Sequence, residues 1–250
     1  MKVRPKKHLG QHFLTDENIA QKICNSLDPE PQNILEIGPG KGVLTKYLLH
    51  KYNNNFKAIE VDDEAFDYLN LIFPSFSESF LNADFLKADL STIFDTDFQL
   101  IGNFPYNISS QILFKVIENK EKIKTVVGMF QKEVADRIVS EPNNKSYGIL
   151  SVLMQTWYNC EYLFTVKEGS FFPPPKVKSA VVKFTRNNIT DIGVEEKLFI
   201  DIVKTAFNQR RKMIRNSLSK FNLEQNEYLE KRPEQLEWAD FVNIAKLVSI

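Results

Sequence analysis

Gly102-Asn103-Phe104-Pro105-Tyr106 contains the residue types best suited to holding a planar amine for methylation. The exocyclic amine of adenine is a poor nucleophile because its lone pair is delocalised into the ring. The Asn103 side-chain carbonyl and the Pro105 backbone carbonyl can each accept one amine hydrogen and pull the nitrogen towards tetrahedral geometry. Tyr106 can stack on the base, a contact worth roughly 1–3 kcal/mol. Pro105 also fixes the backbone and removes a competing donor. No strong base is needed, because the proton leaves easily once the nitrogen is alkylated. Asn and Pro equally well end a strand in a turn, so the meaning of the tetrapeptide depends on its neighbours.

The first neighbour is Glu36-Ile37-Gly38-Pro39-Gly40-Lys41-Gly42, which follows an apolar run at residues 33–37. Glycines at the carboxyl end of a first strand permit a tight turn and close backbone approach to a nucleoside. A dinucleotide site favours G-x-G-x-x-G, but position 43 is Val, so the spacing here is G-x-G-x-G. That departure points to S-adenosylmethionine, which has no pyrophosphate and needs room for a sulfonium and an amino-acid tail. Two acids stand in register behind the turn. Glu60 ends the second apolar run, where a carboxylate can accept both ribose hydroxyls, and Asp84 follows the third, within reach of an adenine amine.

The elements that must position these residues are legible as short apolar runs at 33–37, 56–61, 98–102 and 125–130, with a weaker one at 79–83. Helical patterns at 42–51 and 109–119 alternate with them. Near-continuous apolar strands separated by helices predict a mostly parallel sheet covered on both faces. Runs at 162–166 and 179–185 flank the proline-rich Phe171-Phe172-Pro173-Pro174-Pro175 and predict an antiparallel hairpin at the sheet edge. Tyr147, Leu150, Met154 and Trp157 have helical spacing. From Val194 onward the pattern reads helical, with Leu198, Phe199, Ile202, Val203, Ala206 and Phe207 on one face. Residues 187–193 form the expected linker. The expected architecture is an α/β, Rossmann-like class I methyltransferase domain over residues 1–188 and a small all-helical domain over 189–250.

Composition permits this. A chain of 250 residues with 43% hydrophobic residues can bury one full core plus a small appendage. No apolar run is long enough to span a bilayer, and the basic opening leads into polar sequence rather than an apolar signal segment, so a cytoplasmic chain is expected. Cys24 and Cys160 lack metal or redox spacing and read as buried reduced thiols; no metal is expected. Net charge is zero, yet the charges are segregated. Lys2, Arg4, Lys6 and Lys7 open the chain, Lys176, Lys178, Lys183 and Arg186 follow the proline turn, and Arg210, Arg211, Lys212 and Arg215 form a third cluster. Acids dominate at 60–64 and 224–237. Such segregation suits one phosphate-facing side, although solvated helix faces produce similar clusters.

These motifs resemble those of the small-subunit ribosomal RNA adenine-N6,N6-dimethyltransferases (the KsgA type), a family related to the Erm resistance methyltransferases. The resemblance covers almost the whole chain. Lys7-His8-Leu9-Gly10-Gln11-His12-Phe13-Leu14 is similar to the family's opening motif, residues 36–42 to its cofactor loop and residues 103–106 to its catalytic motif. Residues 171–179 are similar to its F-x-P-x-P-K-V-x-S signature, and Phe207-Asn208-Gln209-Arg210-Arg211-Lys212 to a helix motif of its C-terminal domain. The resemblance implies S-adenosylmethionine contacts at His12, Leu14, Gly38, Glu60, Asp84 and Asn103. His12 stands where Asn is often found; a backbone contact survives that change. It implies catalytic roles for Asn103 and Pro105, base stacking by Tyr106 and Phe171, and RNA contacts from Lys6, Lys7, Arg210, Arg211, Lys212 and Arg215. It also implies a substrate: two adjacent adenines near the 3′ end of small-subunit rRNA, each methylated twice. A monomer acting on a pre-ribosomal small subunit is expected.

A base enclosed between Tyr106 and Phe171 has to be unstacked, which costs a few kcal/mol and is cheapest in a loop. Phe171 also reads as a core residue beside a proline turn. The competing expectations are an Erm-type enzyme acting on large-subunit rRNA, a DNA adenine methyltransferase, and an assembly factor without catalysis. The 171–179 match and the basic 210–212 helix favour the small-subunit type over the first. The lack of a separate sequence-reading domain disfavours the second, and the intact 103–106 motif the third.

Overall fold

Continuous apolar runs need cover on both faces, and the chain supplies it by alternating strand and helix. The computed structural model describes residues 3–29 and 33–248, so Lys2 of the opening basic cluster lies outside the described residues. Two compact units emerge, Met1–Ala135 with Glu161–Arg186, and Asp136–Cys160 with Asn187–Ile250. This division differs from a cut after residue 188: residues 136–160 cluster with the C-terminal segment. Among the described residues, no helix is long and apolar enough to cross a membrane.

In the first unit, β1 (Phe13–Leu14) leads into α1 (Glu17–Cys24), whose start is capped by Asp16 accepting from the Asn18 and Ile19 amides. Next come β2 (Asn33–Ile37), α2 (Thr45–Tyr52), β3 (Phe56–Glu60), α3 (Asp63–Ile72), β4 (Phe80–Asn82), β5 (Phe98–Asn103), α4 (Ser109–Glu118), β6 (Ile123–Gln131) and α5 (Lys132–Ile138). Later in the chain, α6 (Ile149–Trp157) precedes β7 (Tyr158–Val166), β8 (Phe171–Phe172) and β9 (Ser179–Arg186). The seven-stranded sheet runs β4-β3-β2-β5-β6-β9-β7. Every pairing from β4 to β6 is parallel, β9 lies antiparallel to β6, and β7 forms the edge beside it.

β2 is the strand from which the order turns in both directions, to β3 on one side and β5 on the other. In open α/β sheets a ligand crevice forms at such a switch point, outside the carboxyl ends of the strands. The carboxyl ends here are Ile37, Glu60, Asn82 and Asn103, so the glycine turn, both acids and the 103–106 tetrapeptide meet at one edge.

Two expectations are corrected. Phe171-Phe172 belongs to a two-stranded ladder with β1, Leu14 opposite Phe171 and Phe13 opposite Phe172, rather than to a loop. The region after Val194 is not uniformly helical. α7 (Glu196–Asn208), α8 (Ile214–Ser217) and α9 (Trp238–Lys246) are separated by an irregular stretch where Asn222 takes a left-handed φ of 47°. There the Asn226 side chain accepts from the Tyr228 amide, a local turn that competes with helix. In the second unit aromatic rings join residues 147–157 to α7 and α7 to α9, with Trp157 against Phe199 at 5.8 Å, Tyr147 against Phe207 at 6.0 Å and Phe207 against Phe241 at 5.9 Å. Those contacts explain why residues 136–160 belong with it.

Candidate active site

The tetrapeptide starts on the last residue of β5, and its second residue anchors it. Phe104 is buried and meets Phe130 edge-on at 5.3 Å. Its ring occupies space that two glycines vacate. A Cβ on Gly102 would lie 2.8 Å from the ring, and one on Gly128, in the neighbouring β6, would lie 2.5 Å from it. With Phe104 held in the sheet, Asn103, Pro105 and Tyr106 are left facing the cleft. Asn103 Nδ2 donates to the His12 carbonyl at 2.7 Å, which fixes the amide and leaves Oδ1 as its acceptor. The Pro105 carbonyl accepts from the Ile108 amide at 3.2 Å and retains a second lone pair. Tyr106 shares a 2.5 Å hydrogen bond with Ser179 Oγ, and burial pushes its phenol above the ordinary tyrosine value while that bond pulls it back.

The cofactor side is built by the glycine turn. Gly38 has φ of 63° and nothing within 4 Å of where a Cβ would stand, so its position is open as well as left-handed. Gly40, φ 56°, lies so close to Phe13 that a Cβ would come within 2.9 Å of the ring. Its amide donates to Glu60 Oε2 at 3.0 Å, while Glu60 Oε1 accepts the Val61 and Asp62 amides at the same distance. Burial raises the Glu60 carboxyl above its usual range, and these three amides oppose that shift. Asp84 is half-buried and accepts from the Leu86 amide at 2.9 Å. Ile37, Ile59, Val61 and Phe85 supply apolar walls. An apolar slot with a few fixed polar groups is how proteins hold a nucleoside.

His12, Gly38, Glu60, Asp84, Asn103, Pro105 and Tyr106 thus line one cleft, as their order along the strands predicts. Leu14 lies in a smaller adjoining hollow with Gly38, Lys41 and Asn103. Phe171 does not line the cleft. It pairs with Leu14, packs into the core and is 4% exposed, whereas Phe172 beside it is 58% exposed. The base-stacking role expected of Phe171 therefore has no support in this arrangement, because strand alternation turns its ring inward.

Sequence reasoning gave no individual role to Gln11, Glu36, Asp62, Gly128 or Ser179. Gln11 and Lys6 both bond the buried Asp62, at 2.9 and 2.5 Å, and so tie the N-terminal segment to the end of β3. Asp62 follows Glu60 by two positions, which is the only local hint of it. Ser179 and Gly128 act on residues more than twenty positions away; Ser179 closes the 171–179 signature, but nothing local points to its bond with Tyr106, and Gly128 has no such signal. Glu36, at the back of the glycine turn, is fully buried; burial pushes its carboxyl up to about 8, against the lowering effect of the Thr45 hydroxyl 2.7 Å away.

The expected RNA contacts divide by partner. In the first unit, Lys6 is committed to Asp62 and Glu64, which raise its ammonium above the usual lysine value, while Lys7 is exposed. In the second unit, Arg210 donates to the Lys145 and Asn144 carbonyls at 2.6 and 3.2 Å and faces Glu234 at 3.8 Å. Arg215 pairs with Glu230 at 2.5 Å. Arg211 and Lys212 are exposed. The cationic heads of Lys6, Arg210 and Arg215 thus have partners within the chain. Cys24 and Cys160 are free thiols, the first buried and the second half-buried; burial raises both, Cys160 to about 12.

Comparison with known proteins follows the same lines. A family model described as ribosomal RNA adenine dimethylase matches residues 3–248. The ribosomal RNA small subunit methyltransferase A of Parabacteroides distasonis is 52% identical over 248 residues, covering 97% of this chain and 93% of that protein. Among solved structures, a dimethyladenosine transferase from Plasmodium falciparum superposes with a TM-score of 0.79 at 24% identity, over 93% of this chain and 96% of that one. The 23S rRNA methyltransferase ErmE superposes with a TM-score of 0.68, also at 24% identity, over 94% and 99%. Both structures share the fold.

Proposed function

We infer the reaction from the premise that this chain belongs to the ribosomal RNA adenine dimethylase family: it transfers methyl groups from S-adenosylmethionine to the N6 amines of two adjacent adenines in small-subunit rRNA. The choice of the small subunit follows its 52% identical relative, against 24% for the Erm structure. The observation that carries the chemistry is the Asn103 amide, oriented by the His12 carbonyl within the cleft that also holds Glu60.

The residues present fit S-adenosylmethionine. Gly38 leaves open space where a side chain would stand, and Glu60 and Asp84 offer carboxylates along an apolar slot. Glu60 would hold the ribose hydroxyls, Asp84 the adenine amine, and the 38–42 turn the amino-acid tail. When bound, the cofactor supplies an electrophilic methyl on a sulfonium. Asn103 Oδ1 and the Pro105 carbonyl accept the two N6 hydrogens of the target and draw the lone pair out of conjugation. After the first transfer the remaining N6–H still meets one of these acceptors, so the same cradle serves the second. The displaced proton passes to solvent. Most of the acceleration comes from positioning, which supplies about 7–11 kcal/mol in favourable cases.

Lys7, with Arg211 and Lys212 in the helical unit, meets RNA phosphates and gives salt-dependent binding with little sequence preference. The chain acts in the cytoplasm as a monomer on a pre-ribosomal small subunit. The test offers labelled S-adenosylmethionine with under-methylated small subunits, large subunits and naked rRNA, and maps the modified bases by mass. Dimethyladenosine near the small-subunit 3′ end supports the reading; label in large subunits overturns it. Asn103→Ala should abolish transfer while leaving cofactor affinity within a few-fold; retained transfer would remove Asn103 from the cradle.

A further inference from the structure

His12 bonds in three directions, and two of them involve its ring. Its carbonyl holds the Asn103 amide at 2.7 Å. Its Nδ1 stands 2.8 Å from the Pro173 carbonyl. Its imidazole stacks on Tyr106, with centroids 5.6 Å apart and planes 25° from parallel. A carbonyl can only accept, so Nδ1 carries a proton and donates it to Pro173. Tyr106 is held at its other end by Ser179, a buried residue at the start of β9. One face of the Tyr106 ring therefore lies against a ring that is itself tethered, and its hydroxyl is tethered independently.

We propose that His12 is a positioning residue: its imidazole, held by Pro173, sets the plane of Tyr106 so that the target base stacks on the face opposite the imidazole. This goes beyond a cofactor contact and rests on the methyl-transfer reading above. The physical basis is simple. A tyrosine held only at its hydroxyl can still swing about its χ torsions, and each misdirected rotamer lowers the fraction of protein ready to receive a base. A stacked, hydrogen-bonded ring removes that freedom before the RNA arrives. The same residue fixes Asn103 through its carbonyl, so one segment presets both the acceptor and the platform.

The stack and the tether can be separated by substitution. His12→Phe keeps a ring against Tyr106 and loses the bond to Pro173. His12→Asn keeps a polar donor and loses the ring. Aromatic pairing of this kind corresponds to roughly a two- to tenfold effect. Measured with purified small subunits, His12→Asn and His12→Ala should lower kcat/KM for RNA by that factor, with S-adenosylmethionine affinity by calorimetry unchanged within twofold. His12→Phe should recover part of the loss. In a Tyr106→Ala background the His12 substitutions should have no further effect, because the residue through which they act is gone.

Additive losses in that background, cofactor affinity falling in step with activity, or wild-type activity in His12→Asn would each overturn the proposal. A second arm needs no substrate: the chain has three histidines, so 15N spectra should assign His12 as the Nδ1–H tautomer and show its ring resonances shifting in Tyr106→Ala. An Nε2–H tautomer or unmoved resonances would also overturn it. Failure of the methyl-transfer reading would register separately, as absence of label transfer by the wild-type protein.

Discussion

Gly128→Ala tests whether the cradle is set by packing behind it. The added Cβ would stand 2.5 Å from Phe104 Cε2 and 2.7 and 2.8 Å from Phe130 Cε2 and Cζ. Carbon atoms in ordinary contact sit about 3.5–4.0 Å apart, so the Phe104 ring has to retreat by roughly 1 Å. It has no free side to retreat to: the ring already fills the space beside Gly102, where a Cβ would also meet the Ile37 carbonyl at 2.6 Å. Overpacking of this kind costs about 1–3 kcal/mol. For a protein of this size that lowers Tm by roughly 2–12 °C.

The functional consequence should be larger than the loss of stability. Phe104 lies between Asn103 and Pro105 in the chain, so displacing its ring displaces both acceptors. A misplacement of about 1 Å can cost roughly a hundredfold in rate. Single-turnover transfer of labelled methyl to small subunits should fall by one to two orders of magnitude. Cofactor affinity should change little, because Glu60 ends β3 and Gly38 follows β2, away from the displaced ring. Gly169→Ala is the control, since a Cβ there meets nothing within 4 Å. A Gly128→Ala protein with lowered Tm but an unchanged transfer rate would show that Phe104 yields without moving its neighbours, and the anchoring argument would fail.

Glu36→Gln keeps an acceptor for the Thr45 hydroxyl and removes a buried acid. Because the folded carboxyl is pushed up to about 8 from an ordinary 4.5, the stability that Glu36 contributes is fully present below pH 4.5 and is lost as pH rises towards 8. The variant should escape that decline, so the Tm difference should widen between pH 5 and pH 8; parallel Tm curves would contradict the buried-acid assignment. Arg210→Ala should destabilise the helical unit by about 1 kcal/mol, since it frees two carbonyls and leaves Glu234 Oε2 buried without an ionic partner. Arg210→Lys should not restore it, as one ammonium cannot replace the fork; recovery by Lys in thermal melts would refute this. Arg211→Glu combined with Lys212→Glu should weaken RNA binding and reduce the salt slope by about 1.4–1.8 if each meets one phosphate; an unchanged slope removes this segment from the RNA face.

Much of the parallel sheet was readable because its signal is local. The apolar runs that became β2, β3, β5 and β6 carry it themselves, and the glycine turn announces the strand end it follows. What was not readable depends on distant partners. Phe171 and Phe172 are identical in type, and only pairing with Leu14 and Phe13 decides which ring turns inward. Gly128 looks like any residue of an apolar strand until Phe104 is seen to need its missing side chain. The helix at Ile149–Trp157 was visible as a helix, but its membership of the C-terminal unit depends on rings at Phe199 and Phe207.

The charge pattern illustrates the same limit in a way that bears on function. Six basic residues were expected at RNA, and counting them alone predicts a salt slope of roughly 4–5 on a log–log plot. Lys6, Arg210 and Arg215, however, already have partners within the chain. Lys6 serves Asp62, which in turn caps α3 through the Glu64 amide, so its charge helps to hold the chain next to Val61, a residue of the cleft wall. Arg210 fastens the 144–145 backbone beside Arg211. The paired residues shape the surfaces from which the exposed ones project. If Lys7, Arg211 and Lys212 alone reach phosphate, the slope should be roughly 2–2.7. A measured slope of about 5 would instead show that Lys6, Arg210 and Arg215 exchange their partners within the chain for RNA phosphates.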